Sequence, residues 1–129
     1  MRLRVLCKSK IHRAVVTGAE LEYVGSIGID SALMQRTDIV PGEQVSVWNV
    51  SNGQRIETYA IALPEHSGEI VINGAAARHF HPGDRVIIVA FSLTDETVTP
   101  RMIAVDERNR FTTDLADTAG RPTAEAIKA

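Results

Sequence analysis

Only one cysteine, Cys7, stands in the 129 residues, so the chain has no internal disulfide and a reducing cytoplasm suits it best. No activating motif surrounds that thiol, which reads as a small, buried, apolar side chain rather than a nucleophile. Neither sign of charge dominates. Fourteen basic against 16 acidic side chains leave a net charge of −2, and that supplies no field to recruit nucleic acid or an acidic membrane. No apolar run approaches the roughly 18 residues of a membrane span. The first residues alternate charge with short apolar stretches, unlike a secretory signal. His66, His79 and His81 have no metal-ligand spacing with cysteines or carboxylates, so no metal is expected. No internal repeat stands out. The partner left by these exclusions is a small molecule.

An apolar content of 44% suffices for the core of one domain. It is laid out as short β-segments separated by turn residues, at 43–50, 54–63, 69–72 and 85–93, with a late strand at 100–106. Ser51-Asn52-Gly53 signals a tight hairpin, and His81-Pro82-Gly83-Asp84 a second turn. Helix is scarce: 31–37 and 75–80 each suit one short helix, the first with Asp30 or Ser31 as its N-cap. The pattern predicts a mainly β fold, a small barrel with short helices. Residues 112–129 hold only Leu115 and Ile127 as large apolar side chains, too little to offset the entropy of ordering them, and are expected to be a mobile tail.

Within Tyr23-Val24-Gly25-Ser26-Ile27-Gly28-Ile29-Asp30 a hydroxyl directly follows a glycine carbonyl in an otherwise strand-like apolar run. Gly25 has no side chain to shield that carbonyl and can adopt backbone angles closed to other residues. The Ser26 oxygen can attack it and turn the amide into an ester. Elimination then leaves a dehydroalanine at a new N-terminus, and hydrolysis with loss of ammonia leaves a pyruvoyl group. A Gly-Ser pair alone is commonly a turn or a bulge. Its surroundings are what give it weight.

Those surroundings are Lys8-Ser9-Lys10-Ile11-His12-Arg13-Ala14, Asn52-Gly53-Gln54-Arg55-Ile56-Glu57-Thr58-Tyr59, Ile72-Asn73-Gly74-Ala75-Ala76-Ala77-Arg78 and Pro82-Gly83-Asp84-Arg85-Val86-Ile87-Ile88. In order and spacing this set resembles the pyruvoyl-dependent aspartate 1-decarboxylases, nearly without gaps from Met1 to about Phe91. The resemblance implies a double-psi β-barrel spanning 1–111, assembled into a homotetramer. It implies a proenzyme cut between Gly25 and Ser26 into a β chain of 1–25 and an α chain of 26–129 that carries the pyruvoyl cofactor. It implies conversion of L-aspartate to β-alanine and carbon dioxide through a Schiff base with that group, feeding pantothenate and coenzyme A synthesis.

Decarboxylation next to an amine needs an electron sink, a charge clamp and a proton donor. Ser26 is the source of the sink. Arg55 suits a carboxylate because its planar fork donates two parallel hydrogen bonds, and Lys10 adds a point charge; outside this context both would read as solvated surface charges. Tyr59 is the candidate proton donor. It shares a strand face with Arg55 about 13 Å away, so the two flank one substrate only from a distance or from different subunits. The resemblance implies the second. It also implies that the Thr58 hydroxyl stabilises the oxyanion of self-cleavage, although alternation puts Thr58 on the face opposite Tyr59. Asn73, Gly74, Ala75 and Ala76 look like a wall where main-chain N–H groups approach the ligand. His12 and Tyr23 match positions near the cut bond, and Trp48 and Ile87 match the lining.

Gly28 departs from the common pattern, which has a larger residue there; its extra freedom bears on the speed of processing and is compatible with a helper protein for maturation. The segment Pro64-Glu65-His66 also departs, in a loop expected to shape substrate access. Two other readings fit the residues: the same chemistry on another acidic amino acid such as glutamate, and an unprocessed barrel that binds an anion or a partner.

Overall fold

The computed structural model describes residues 1–128. A long first strand, β1 (Arg4–Val15), and a short β2 (Gly18–Glu20) lead to β3 (Ser26–Asp30) and helix α1 (Ser31–Thr37). Then come β4 (Gln44–Asn49), β5 (Arg55–Leu63), β6 (Ile70–Asn73), a 3₁₀ turn (Gly74–Arg78), β7 (Arg85–Thr94), β8 (Arg101–Val105) and β9 (Phe111–Asp114), with a last helix α2 (Ala124–Lys128). All nine strands join one sheet in the order β2-β6-β3-β5-β4-β7-β1-β8-β9. The fold is thus mainly β, as its sequence predicts, and the curled sheet is consistent with a β-barrel.

Alternation explains most of it. In β4 the side chains of Val45 and Val47 are buried while their neighbours face outward, and β7 and β1 add Val86, Ile88, Ala90 and Ile11 to the same interior. β3 differs: all five of its residues are buried, because it runs between β5, parallel to it, and β6, antiparallel. Such a doubly flanked strand reads as a continuous apolar run. Strand β1 bends over β7 and β8 through register shifts between Cys7 and Ser9 and between Ile11 and Ala14. At the second shift Arg13 takes a φ of 63°.

Asp30 closes β3 and caps α1, accepting from the backbone N–H of Ala32 at 2.9 Å. The same carboxylate accepts from His66 N at 3.0 Å and Gly68 N at 2.9 Å, which pins loop 64–68 at the end of β3 remote from Ser26. That loop therefore does not border the Gly25-Ser26 bond. Gly28 is held as well, paired with Ile61 on one side and Val71 on the other. A Cβ on it would come 2.8 Å from Leu63 Cδ1, so Leu63 occupies the space a larger residue would take.

At the C-terminal end, the boundary expected after residue 111 falls inside β9. Asp114 pairs with Ile103 and Thr113 with Ala104, and Leu115 is buried. An isolated bridge joins Ala116 to Pro122 before α2. Ala129, the end of the expected tail, lies outside the described residues. No described helix is long and apolar enough to cross a membrane.

Candidate active site

Ser26 opens β3 and is 2% exposed. Its hydroxyl accepts a hydrogen bond from Asn73 Nδ2 at 2.9 Å and donates to the Val24 carbonyl at 3.3 Å. Asn73 is opposite it on β6 in the antiparallel register and is itself buried. A neutral amide thus holds the oxygen lone pairs on one side and a carbonyl takes the proton on the other. Such a hydroxyl is fixed next to the Gly25-Ser26 bond.

Gly25 is exposed, and a Cβ built on it would meet nothing within 4 Å. Its value lies in that open face. The left-handed backbone here is that of Gly74, with a φ of 79°, whereas Gly25 is not among the residues with positive φ. A Cβ on Gly74 would lie 2.7 Å from Gly25 Cα, 2.9 Å from Gly25 N and 3.2 Å from the Tyr23 carbonyl. Gly74 is therefore required twice, for its own conformation and for the close approach of residues 23–25. A Gly74→Ala chain is expected to fold but to cut itself at least about a hundredfold more slowly, since a displacement near 1 Å costs that much in an oriented reaction. A time course of intact mass reads this directly, and cutting at the unmodified rate would show that the contact has no part in it.

Thr58 and Tyr59 stand beside this group. The parallel register pairs Ile27 with Ala60; continued backward, it sets Tyr59 next to Ser26 and Thr58 next to Gly25. No bulge interrupts β5 against β4 over these residues. The two side chains face opposite ways, Thr58 half-buried and Tyr59 40% exposed. In the turn after β6, Ala75 is exposed and Ala76 half-buried; Tyr23 is exposed.

Arg55 and Lys10, the candidate charge clamp, form a separate patch. Trp48 on β4 pairs with Arg55 on β5 and with Ile87 on β7. The Arg55 guanidinium carbon lies 4.1 Å from the centre of the indole, and Lys10 Nζ 5.8 Å from it. A guanidinium held over an aromatic face keeps its in-plane N–H edge available to a carboxylate. Both cations thus share one aromatic platform. Within one chain the platform is removed from Ser26: Arg55 is four residues, about 13 Å, along β5 from Tyr59, and Lys10 is on β1, beyond β4 and β7 in the sheet order.

His12 is half-buried on β1 near the bulge. Burial pushes its pKa below the usual imidazole range, and the positive charges of Lys10 and Arg13 push the same way. Near neutral pH the ring is uncharged. Lys10, His12 and Arg13 line a cavity of about 870 Å³ whose far wall is Leu115, Ala116, Gly120, Pro122 and Ala126. Cys7 is half-buried, and its thiol pKa is raised, chiefly by burial, which suits an inert packing group.

Two features of the site escape sequence reading. Val24 contributes its carbonyl to the Ser26 hydroxyl, and Leu63 fills the space over Gly28 through the pairing of β3 with β5, which no local pattern announces.

Comparison with known proteins gives the chain a relationship. The model of the family described as aspartate decarboxylase matches residues 1–112. An aspartate 1-decarboxylase of Moorella thermoacetica is 52% identical over 113 residues, covering 84% of this chain and 88% of that protein.

Proposed function

This chain belongs to the aspartate decarboxylase family, and on that premise we propose that it is a self-processing aspartate 1-decarboxylase that makes β-alanine and carbon dioxide from L-aspartate. The observation that carries the reading is the buried Ser26 hydroxyl, held by Asn73 and Val24 beside an unshielded Gly25.

Processing begins when the Ser26 oxygen attacks the Gly25 carbonyl carbon and the bond from that carbon to the Ser26 nitrogen breaks, leaving an ester. Thr58, beside Gly25 in the extended register, donates to the oxygen on which charge develops. Loss of the Ser26 α-proton and of the Gly25 carboxylate makes dehydroalanine, and water replaces its nitrogen, released as ammonia. The residues fit the group that results: β3 holds it buried and Asn73 supplies a donor. That pyruvoyl group, the cofactor of the family, supplies an electrophilic carbonyl for the substrate amine and a sink for the electrons released with carbon dioxide.

The remaining residues bind and orient. Arg55 takes a substrate carboxylate through its fork, Lys10 adds charge, and Trp48 with Ile87 fixes both on a rigid sheet face. Tyr59 returns a proton to the carbon that lost carbon dioxide. Backbone N–H groups at Gly74, Ala75 and Ala76 complete the wall, and His12 and Tyr23 position the cut bond.

The platform and Ser26 stand apart in one chain, and an apolar outer face includes Val5, Phe91 and Leu93, respectively 67%, 42% and 66% exposed. Both observations support a homotetramer of double-psi β-barrels in which each active site takes Ser26 from one protomer and the Arg55 platform from its neighbour. A cytoplasmic setting suits the lone Cys7, and the product suits pantothenate synthesis.

The test is the intact mass of freshly purified, then warmed, protein under denaturing conditions. A fragment ending at Gly25, with a partner lighter by one ammonia than a chain starting at Ser26, is the expected result. A partner with an intact N-terminal serine would mean hydrolysis without cofactor formation, and a permanently whole chain would return the protein to an anion-binding barrel.

A further inference from the structure

A second cleft lies at the opposite end of β3 from Ser26. Its volume is about 520 Å³, and it opens between α1, loop 64–68 and the turn from β8 to β9. Arg36 reaches it from the last turn of α1, Arg101 from the start of β8, and Arg110 from the turn before β9. None of the three has an ion-pair partner among the described residues. Two carboxylates border the cleft against these three guanidinium groups, which leaves it net positive. The carboxylate of Asp30 is taken up by the backbone N–H groups of Ala32, His66 and Gly68, and Glu65 lies 3.7 Å from His66 Nε2.

The arginines are also oriented. The Arg36 guanidinium carbon lies 3.6 Å from the centre of the Phe111 ring, which leaves its N–H edge free. Arg110 Nη1 donates to the His66 carbonyl at 2.8 Å, so its remaining N–H groups are held near the loop. Like charges gathered in a concave site repel one another unless an anion joins them. Donors that converge from three elements match a tetrahedral group with three free oxygens better than a planar carboxylate with two. The cleft is also of the size that holds a small metabolite rather than a lone ion.

We propose that this cleft binds a phosphoryl-bearing small molecule, either free phosphate or a phosphate ester, at a site distinct from the one that decarboxylates aspartate. Calorimetric titration of the matured protein with inorganic phosphate, ribose 5-phosphate and ribose tests it. Ribose 5-phosphate is expected to saturate one site per chain and ribose to give no heat. If inorganic phosphate binds as tightly as the ester, the free ion is the ligand; if at least about tenfold more weakly, the ester is, and either result supports the site. Arg101, which makes no side-chain hydrogen bond among the described residues, is the cleanest probe. Arg101→Gln is expected to weaken binding about tenfold, the usual weight of one charged hydrogen bond, with aspartate turnover unchanged. Arg36→Lys, which keeps the charge and loses the fork, is expected to do the same, and Arg55→Gln to leave phosphate binding intact. Absence of saturable binding would overturn the proposal, as would binding lost in Arg55→Gln but kept in Arg101→Gln, which would put the anion in the aspartate site.

Discussion

A Ser26→Ala chain is expected to remain whole on prolonged warming and to release no β-alanine from aspartate. The substitution removes one oxygen, and that oxygen is both the nucleophile that cuts the chain and the route to the electron sink, so cutting and turnover vanish together. The fold should survive, because alanine fits the buried position at the start of β3. One cost is specific: Asn73 Nδ2, which donates to the serine at 2.9 Å, loses its acceptor in a buried setting. An orphaned buried donor costs about 1–3 kcal/mol, and for a chain of this size that lowers the melting temperature by several degrees. Intact mass, turnover and a melting curve on one preparation therefore separate chemistry from folding. A chain cut at the same bond without the serine hydroxyl would sink the mechanism.

How far this could be read from sequence depends on how local each feature is. Helix α1 and its Asp30 cap follow from neighbours along the chain, and they stand at the expected residues. So do the hairpin at Asn52-Gly53, with Gly53 at a φ of 79°, and the outward alternation of Arg55, Glu57 and Tyr59. Strand β1 has no such regularity. Two register shifts break its alternation, so Arg13 and His12 fall where a simple period of two would not place them.

The site is less legible than its residues. Family resemblance identifies Gly25, Ser26, Thr58, Tyr59 and Asn73 as candidates, but their meeting depends on a parallel pairing of β3 with β5 across more than thirty residues and on β6 closing the other side. The left-handed glycine of this site is non-local as well. A glycine before a serine draws attention to itself, yet the positive φ is at Gly74, remote in sequence and pressed against Gly25 in space. Thr58 and Tyr59 keep the opposite faces of β5 that alternation assigns them, with no bulge between them.

Tyr59→Phe is expected to divide the two reactions that Ser26→Ala removes together. Ser26 is held by Asn73 and Val24, and neither contact involves the Tyr59 hydroxyl. The variant should therefore cut itself at the unmodified rate and carry its cofactor. The phenylalanine ring keeps the packing of a side chain already 40% exposed, so stability should move by no more than about 0.5 kcal/mol. Turnover is another matter. Once carbon dioxide has left, the carbanionic carbon needs a proton from a fixed donor, and such donors are worth about 10²–10⁴ in rate; kcat should fall by that factor. KM should change little, because binding rests on the Arg55 and Lys10 platform rather than on the phenol. A fully cut variant with kcat within threefold of the parent would assign the proton to another group and leave Tyr59 as packing.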